Sequence, residues 1–303
     1  MWEEIDFKAY NPHASKIENV HIEGINRDGL LVSRAAEFAI VVEMQIIRDI
    51  MLGRIRQHEN KGQITDIENQ VNFFTLGDMT FFNYKNREIV FLHPAMGAPM
   101  MECTVQNASS LGVKYFVRLG TTGSLNRAIS KYSFIVTTSS IRNDGTSDHY
   151  LPIGFPAISS KTLNQEIVRE FKKNKIPHIE GVSFTTETRF KEDVPYLLDL
   201  NKKYGVTNIE MESATLFSVA TELGIHSSSM SMVTDCLADE NELKNVEGTL
   251  VGVPKYQELM DTGVKRLTNA FDAILEAFSG LPSNSKRYKE LMKEINGLNP
   301  NAK

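Results

Sequence analysis

Cysteine is the scarcest resource in this 303-residue chain: there are two, Cys103 and Cys236. Their spacing matches no metal or redox motif, so no metal site is expected and a disulfide framework is excluded. The implied compartment is a reducing cytoplasm. Long apolar runs are also missing. The densest early stretch, Phe38 to Val42, is far short of the ~20 residues that a membrane-spanning helix needs, so no membrane partner is expected. The opening MWEEIDFKAY lacks the basic segment and apolar core of a secretory signal. Positive charge never gathers into a block. With 33 Lys and Arg against 38 Asp and Glu, the net charge is −5, which argues against a nucleic-acid partner but leaves room for a single phosphate. Neither the Walker spacing nor GxGxxG occurs, so nucleoside triphosphates and dinucleotides gain little support.

What is present is an alternation of short apolar runs and amphipathic segments. Residues 33 to 52 are expected to form a helix, capped by Ser33 and ended by Gly53, followed by a polar hinge over 54 to 72. FFTLGDMTFFNYKNREIVFLH predicts two strands around a turn at Lys85-Asn86. Pro99 opens a helix that Gly112 follows. Further strands are expected at Phe134 to Ile141, Ile179 to Phe184 and Ser227 to Val233. Helices are expected at Leu163 to Lys173, with Thr162 and Gln165 as a capping box, and at Ser213 to Leu223. A long amphipathic helix runs to Phe278. The fold class is α/β: a single-domain, three-layer α/β/α arrangement with a central mixed sheet over residues 1–280, then a polar tail over 281–303. Sites in such folds sit at the carboxyl ends of strands.

Two stretches carry chemistry. In KYFVRLGTTGSLN, Arg118 stands near the expected end of an apolar strand, followed by two glycines that bracket Thr121 and Thr122. Arginine beside hydroxyls and accessible backbone N–H groups suits a phosphate oxyanion, although a structural salt bridge is the plainer alternative. In NIEMESATLFSVA, Glu210 and Glu212 flank Met211 at a strand-to-helix turn. A carboxylate there is placed to accept from vicinal hydroxyls or simply to complement the helix dipole. Asp235 follows another apolar strand, as a turn residue or as an acid.

Together, VRLGTTGSL, IRNDGTSDHYLPIGFPA and IEMESATLFSVA resemble the nucleoside phosphorylase superfamily of bacterial purine and uridine phosphorylases. The resemblance implies that Arg118 binds phosphate with Thr121, that Met211, Glu212 and Thr121 hold the ribose, and that Thr122, Gly123 and Glu210 line the base. It implies catalytic roles for Glu212, Arg118 and, as an acid toward a purine, Asp235. His13 is similar to an N-terminal histidine that reaches a neighbouring subunit's ribose. Arg189 and Phe190 stand in the base-reading segment, without the glutamine and arginine pair of uridine phosphorylases. The family's Gly-Asp-Pro-x-Arg loop after the first strand is absent, and Arg34 in GLLVSR is the nearest candidate. No cofactor is implied beyond phosphate as co-substrate. The partners implied are a small-molecule nucleoside and further copies of the chain, as homodimer or homohexamer.

The expected activity is phosphorolysis of a nucleoside to free base and ribose 1-phosphate, with a lean toward uridine from the middle motif. Purine nucleosides are the alternative that Asp235 favours. A water-using nucleosidase and a non-catalytic storage or ligand-sensing relative remain open because of the missing loop.

Overall fold

The computed structural model describes residues 34–72, 77–239, 259–283, 288–291 and 293. The first element departs from expectation. Phe38–Val41 is a strand, β1, and the helix α1 begins only at Gln45 and continues to Asn60. A short apolar run buried on both sides cannot be told from a core helix by periodicity. Here Phe38, Ile40 and Val42 enter one core while Ala39 and Val41 enter the other, which is strand alternation. Gly53, expected to end the helix, lies inside α1, and the expected hinge is the rest of α1 followed by strand β2, Ile64–Asn72.

β3 (Gly77–Tyr84) and β4 (Arg87–His93) form the expected hairpin. Lys85 and Asn86 adopt φ of 50° and 61°, the left-handed pair that a two-residue turn of matching twist requires. The helix α2 spans Ala98–Ser110 with proline in its first turn, and Gly112 follows with φ 91°. Next come β5 (Tyr115–Ser124), β6 (Phe134–Asn143) and the short β7 (Ala157–Ile158). α3 (Lys161–Lys173) is capped by Ser160, which accepts from the Leu163 amide, and not by the expected Thr162 box. β8 (His178–Thr186) leads to α4 (Val194–Tyr204), a helix outside the sequence expectation, capped by Asp193 and closed by left-handed Gly205. β9 (Val206–Glu210), α5 (Ser213–Leu223), β10 (His226–Cys236) and α6 (Val264–Gly280) complete the described order.

All ten strands share one mixed sheet, ordered β10-β6-β8-β9-β5-β1-β4-β3-β2 with β7 on β6, and β10 pairs with β5 as well. That second pairing closes β5, β9, β8, β6 and β10 into a ring, from which β1, β4, β3 and β2 extend as a wing. Side chains of α1, α3 and α6 pack on one side of the sheet and those of α2 and α5 on the other. This is the mixed α/β class with a central sheet that the alternation implied; the ring was not legible. Within the expected tail, Leu281 and Leu291 are buried and Ser283 donates to Glu37.

The partners of β5 decide where a site can form. β10 runs along one edge from Tyr115 to Ser124. On the other edge, β1 pairs only with Tyr115 to Arg118 and antiparallel β9 only with Gly123 and Ser124. β1 and β9 therefore part beside Leu119 to Thr122, a change of neighbouring strand of the kind beside which α/β sheets place ligands.

Gly53 offers a check on this register. A Cβ added there meets nothing within 4 Å and its φ is ordinary. Gly53→Ala should therefore stabilise the protein by about 0.5–1 kcal/mol in urea denaturation. A loss of stability would return Gly53 to a left-handed helix terminus.

Candidate active site

Arg118 is the fourth residue of β5 and lies well inside the strand, not near its end as expected. Only 3% of it is exposed. A buried guanidinium needs nearly all its donors satisfied. Nε donates to Glu43 Oε1 at 2.8 Å, Nη2 to Glu212 Oε2 at 2.5 Å, and Nη1 to the Ser231 hydroxyl at 2.8 Å and that of Ser229 at 3.4 Å. Glu210 Oε2 lies 3.7 Å from Nη1. One guanidinium thus faces three buried carboxylates, from the link after β1, the end of β9 and the residue before α5.

Gly120 makes this possible. Residues 118 and 120 share a strand face, and a Cβ on Gly120 would come within 2.6 Å of Arg118 Cζ. The glycine expected to admit a ligand is the floor on which the arginine lies. Gly123 has a similar role, since its Cβ would meet Leu237 at 2.5 Å and Asp235 Oδ2 at 3.2 Å.

The carboxylates do different work. Glu210 Oε2 accepts from the amides of Glu212 at 2.8 Å and Ser213 at 2.7 Å, and Oε1 accepts from the Thr185 hydroxyl. It ties down the first N–H groups of α5. Glu212 Oε1 accepts from the amide of Gly97, which precedes α2 with φ 104°, at 2.9 Å, and Oε2 accepts from Arg118 and the Met211 amide. An ionised carboxylate offers about four acceptor positions, so Glu212 retains capacity for a sugar hydroxyl.

The charges are unbalanced, one positive against three negative. Burial raises Glu212 most; Arg118 opposes this, Glu43 and Glu210 add to it, and the result is about 7 against an ordinary 4.5. Burial also raises Glu43 despite Arg118. Burial works against the Arg118 charge, but Glu43, Glu212 and Glu210 outweigh it and hold the guanidinium above its ordinary value.

The other expected residues fall into four groups. Thr121, Thr122 and Gly123 lie on β5 where β1 and β9 part, Asp235 of β10 pairs with Gly123, and Met211 stands between Glu210 and Glu212. Thr121 Oγ1 reaches Met44 Sδ at 3.2 Å, while Thr122 Oγ1 donates to the Ile209 carbonyl at 2.6 Å and accepts from Asn208 at 2.9 Å, bracing β5 on β9. Asp235 Oδ1 accepts from Thr234, and its buried Oδ2 has no hydrogen-bond partner among the described residues. Arg189 and Phe190 lie in the turn after β8, Phe190 at 67% exposure. Arg34 is not brought to Arg118. It precedes β1 and pairs with Glu88 at 2.7 Å, near the start of β4, which runs parallel to β1. His13 lies outside the described residues. Sequence reasoning missed Glu43, Ser229, Ser231 and the Gly97 amide. The one available signal was the i, i+2 serine pair in SSSMS, which places two hydroxyls on one strand face.

The model of the phosphorylase superfamily matches residues 37–276. This chain belongs to the phosphorylase superfamily. As a superfamily member it is 29% identical over 150 residues to the uridine phosphorylase of Haemophilus influenzae, a match spanning 45% of this chain and 60% of that enzyme, less than two thirds of its length. It is 29% identical over 170 residues to a DeoD-type purine nucleoside phosphorylase of Buchnera aphidicola, spanning 54% of this chain and 70% of the relative. The solved uridine phosphorylase of Vibrio fischeri shares the fold, with a TM-score of 0.66 at 19% identity over 82% of this chain and 93% of that one. One of these sequence relatives is thus a uridine phosphorylase and the other a purine nucleoside phosphorylase. The superfamily's Gly-Asp-Pro-x-Arg loop does not follow β1 in this member; the residues there are Val42, Glu43, Met44 and Gln45.

Two outcomes follow from the cluster. Gly120→Ala should destabilise the protein by about 1–3 kcal/mol through overpacking against Arg118. In a double-mutant cycle with Arg118→Ala the two costs should be non-additive, and simple additivity would remove Arg118 as the clashing group. The Glu212 carboxyl, raised on folding, contributes stability that is complete below about pH 4.5 and is lost as pH rises through about 7. The stability of wild type relative to Glu212→Gln should fall across that window, and a difference that does not change with pH would refute the assignment.

Proposed function

We propose that this chain is a nucleoside phosphorylase that transfers the pentosyl group of a nucleoside to inorganic phosphate, with uridine the favoured substrate. The observation that carries the reading is the direct Arg118–Glu212 contact beside the parting of β1 and β9. It joins the anion-binding and sugar-binding groups expected from the sequence in one rigid unit, and the superfamily membership supports the chemistry.

In this reading Glu212 accepts from the ribose hydroxyls and orients the sugar, and its negative charge favours the positive charge that builds on C1′. The C1′–N bond breaks, a phosphate oxygen forms the new bond to C1′ under the charge of Arg118, and the base leaves with the bond's electron pair. Thr121 and Met211 line the sugar, and Thr122 and Gly123 lie toward the base. No cofactor takes part.

A purine substrate is the second reading, supported by Asp235. Its buried Oδ2, without a hydrogen-bond partner among the described residues, adjoins Gly123, and in this reading it bonds the departing base and delivers a proton.

The test is base release from uridine, inosine and adenosine, each with and without phosphate. Phosphate-dependent release, fastest with uridine, is expected, and absence of release under every condition would refute the enzyme. Arg118→Ala should chiefly weaken phosphate use, whereas Glu212→Ala should disable turnover of every nucleoside. Asp235→Asn should slow purine turnover by roughly 10²- to 10⁴-fold and spare uridine. Equal effects on both base classes would remove the acid role.

A further inference from the structure

Phosphorolysis as proposed makes no use of Glu43, the closest partner that Arg118 has through its Nε. The two side chains are each 3% exposed. A guanidinium grips an oxyanion best through two parallel N–H donors along one edge. On Arg118 the Nε and Nη2 donors of that edge go to Glu43 at 2.8 Å and Glu212 at 2.5 Å, and Nη1 is engaged by the serine hydroxyls. The edge that suits an anion is already filled by the protein's own carboxylates. Three carboxylates already face one cation, so a phosphate added beside them meets repulsion in a medium of low dielectric.

The two carboxylates differ in how easily they can leave. Glu212 is held by Arg118 and by the amides of Gly97 and Met211. Glu43 is held by Arg118 and its own backbone amide, and it lies in the short link between the end of β1 at Val41 and the start of α1 at Gln45, so its movement breaks no strand ladder and no helix turn.

We propose that Glu43 is an internal occupant of the anion position on Arg118, and that inorganic phosphate binds there only by displacing it. Glu43 then sets the affinity for phosphate, and with it the choice of phosphate over water as the acceptor. The identity of the anion rests on the phosphorylase reading; the occupation of the arginine by Glu43 does not.

The experiment is calorimetric titration of the full chain with inorganic phosphate alone, in wild type, Glu43→Gln and Glu43→Ala. Glutamine keeps the size of the side chain and an oxygen acceptor for Arg118 Nε while removing the charge, which protects the fold if alanine does not. Wild type should bind phosphate more weakly than about 1 mM, and Glu43→Gln about tenfold or more tightly than wild type. Equal affinity in wild type and folded Glu43→Gln, absence of binding in both, or sub-millimolar binding by wild type would each overturn the proposal. Because no nucleoside is present, the result is independent of base release. A gain of phosphate binding without any base release would refute the phosphorylase and leave the role of Glu43 standing.

Discussion

A guanidinium that is 3% exposed keeps its charge inside a packed sheet only if carboxylates and hydroxyls surround it. Arg118 imposes that requirement on three separate parts of the chain. Glu43 in the link after β1, Glu210 at the end of β9 with Glu212 just beyond it before α5, and the two serines of β10 must all arrive at the same point. The parting of β1 and β9 along one edge of β5 is where they meet. Gly120 supplies the space, because any side chain there would occupy the volume of the guanidinium.

The same arrangement links folding to chemistry. Glu210 satisfies the first amides of α5 and Gly97 offers its amide to Glu212, so the sugar-binding carboxylate is positioned by two helix starts as well as by Arg118. A group held from three directions loses little freedom when a substrate arrives, which is what orientation of a ribose demands. The excess of negative charge is the unusual part. It adds to the burial that raises Glu212 and Glu43, and it makes the occupancy of Arg118 a matter of competition between internal carboxylates and an incoming anion.

Several elements were readable from local rules. The Lys85-Asn86 turn, the proline-opened α2 with Gly112 beyond it, and α5 ending at Gly224 depend on backbone preferences that neighbouring residues largely dictate. The segment from 33 to 52 was not, because its apolar residues are buried on both faces and then continue into a helix, so no single period describes it. Thr162 also carries a hydroxyl, but α3 already begins at Lys161, and Ser160 has the extended backbone of a capping residue. In the site, Arg118 and Glu212 stood out as charges beside apolar strands. Glu43 did not, since its partner lies 75 residues away and nothing local marks an acid after a strand as part of an ion pair.

The sequence by itself determined the α/β alternation, the superfamily motifs, and the set of groups suited to a phosphate, a sugar and a base, because motif and periodicity are properties of residues near one another. Only the tertiary structure decided which charges meet. It closed β10 onto β5, carried Arg34 away to Glu88 near the start of β4, and brought Glu43 onto the arginine. Those outcomes depend on strand order and on the packing of distant segments, and the energy of a buried charge is set by the neighbours that packing provides.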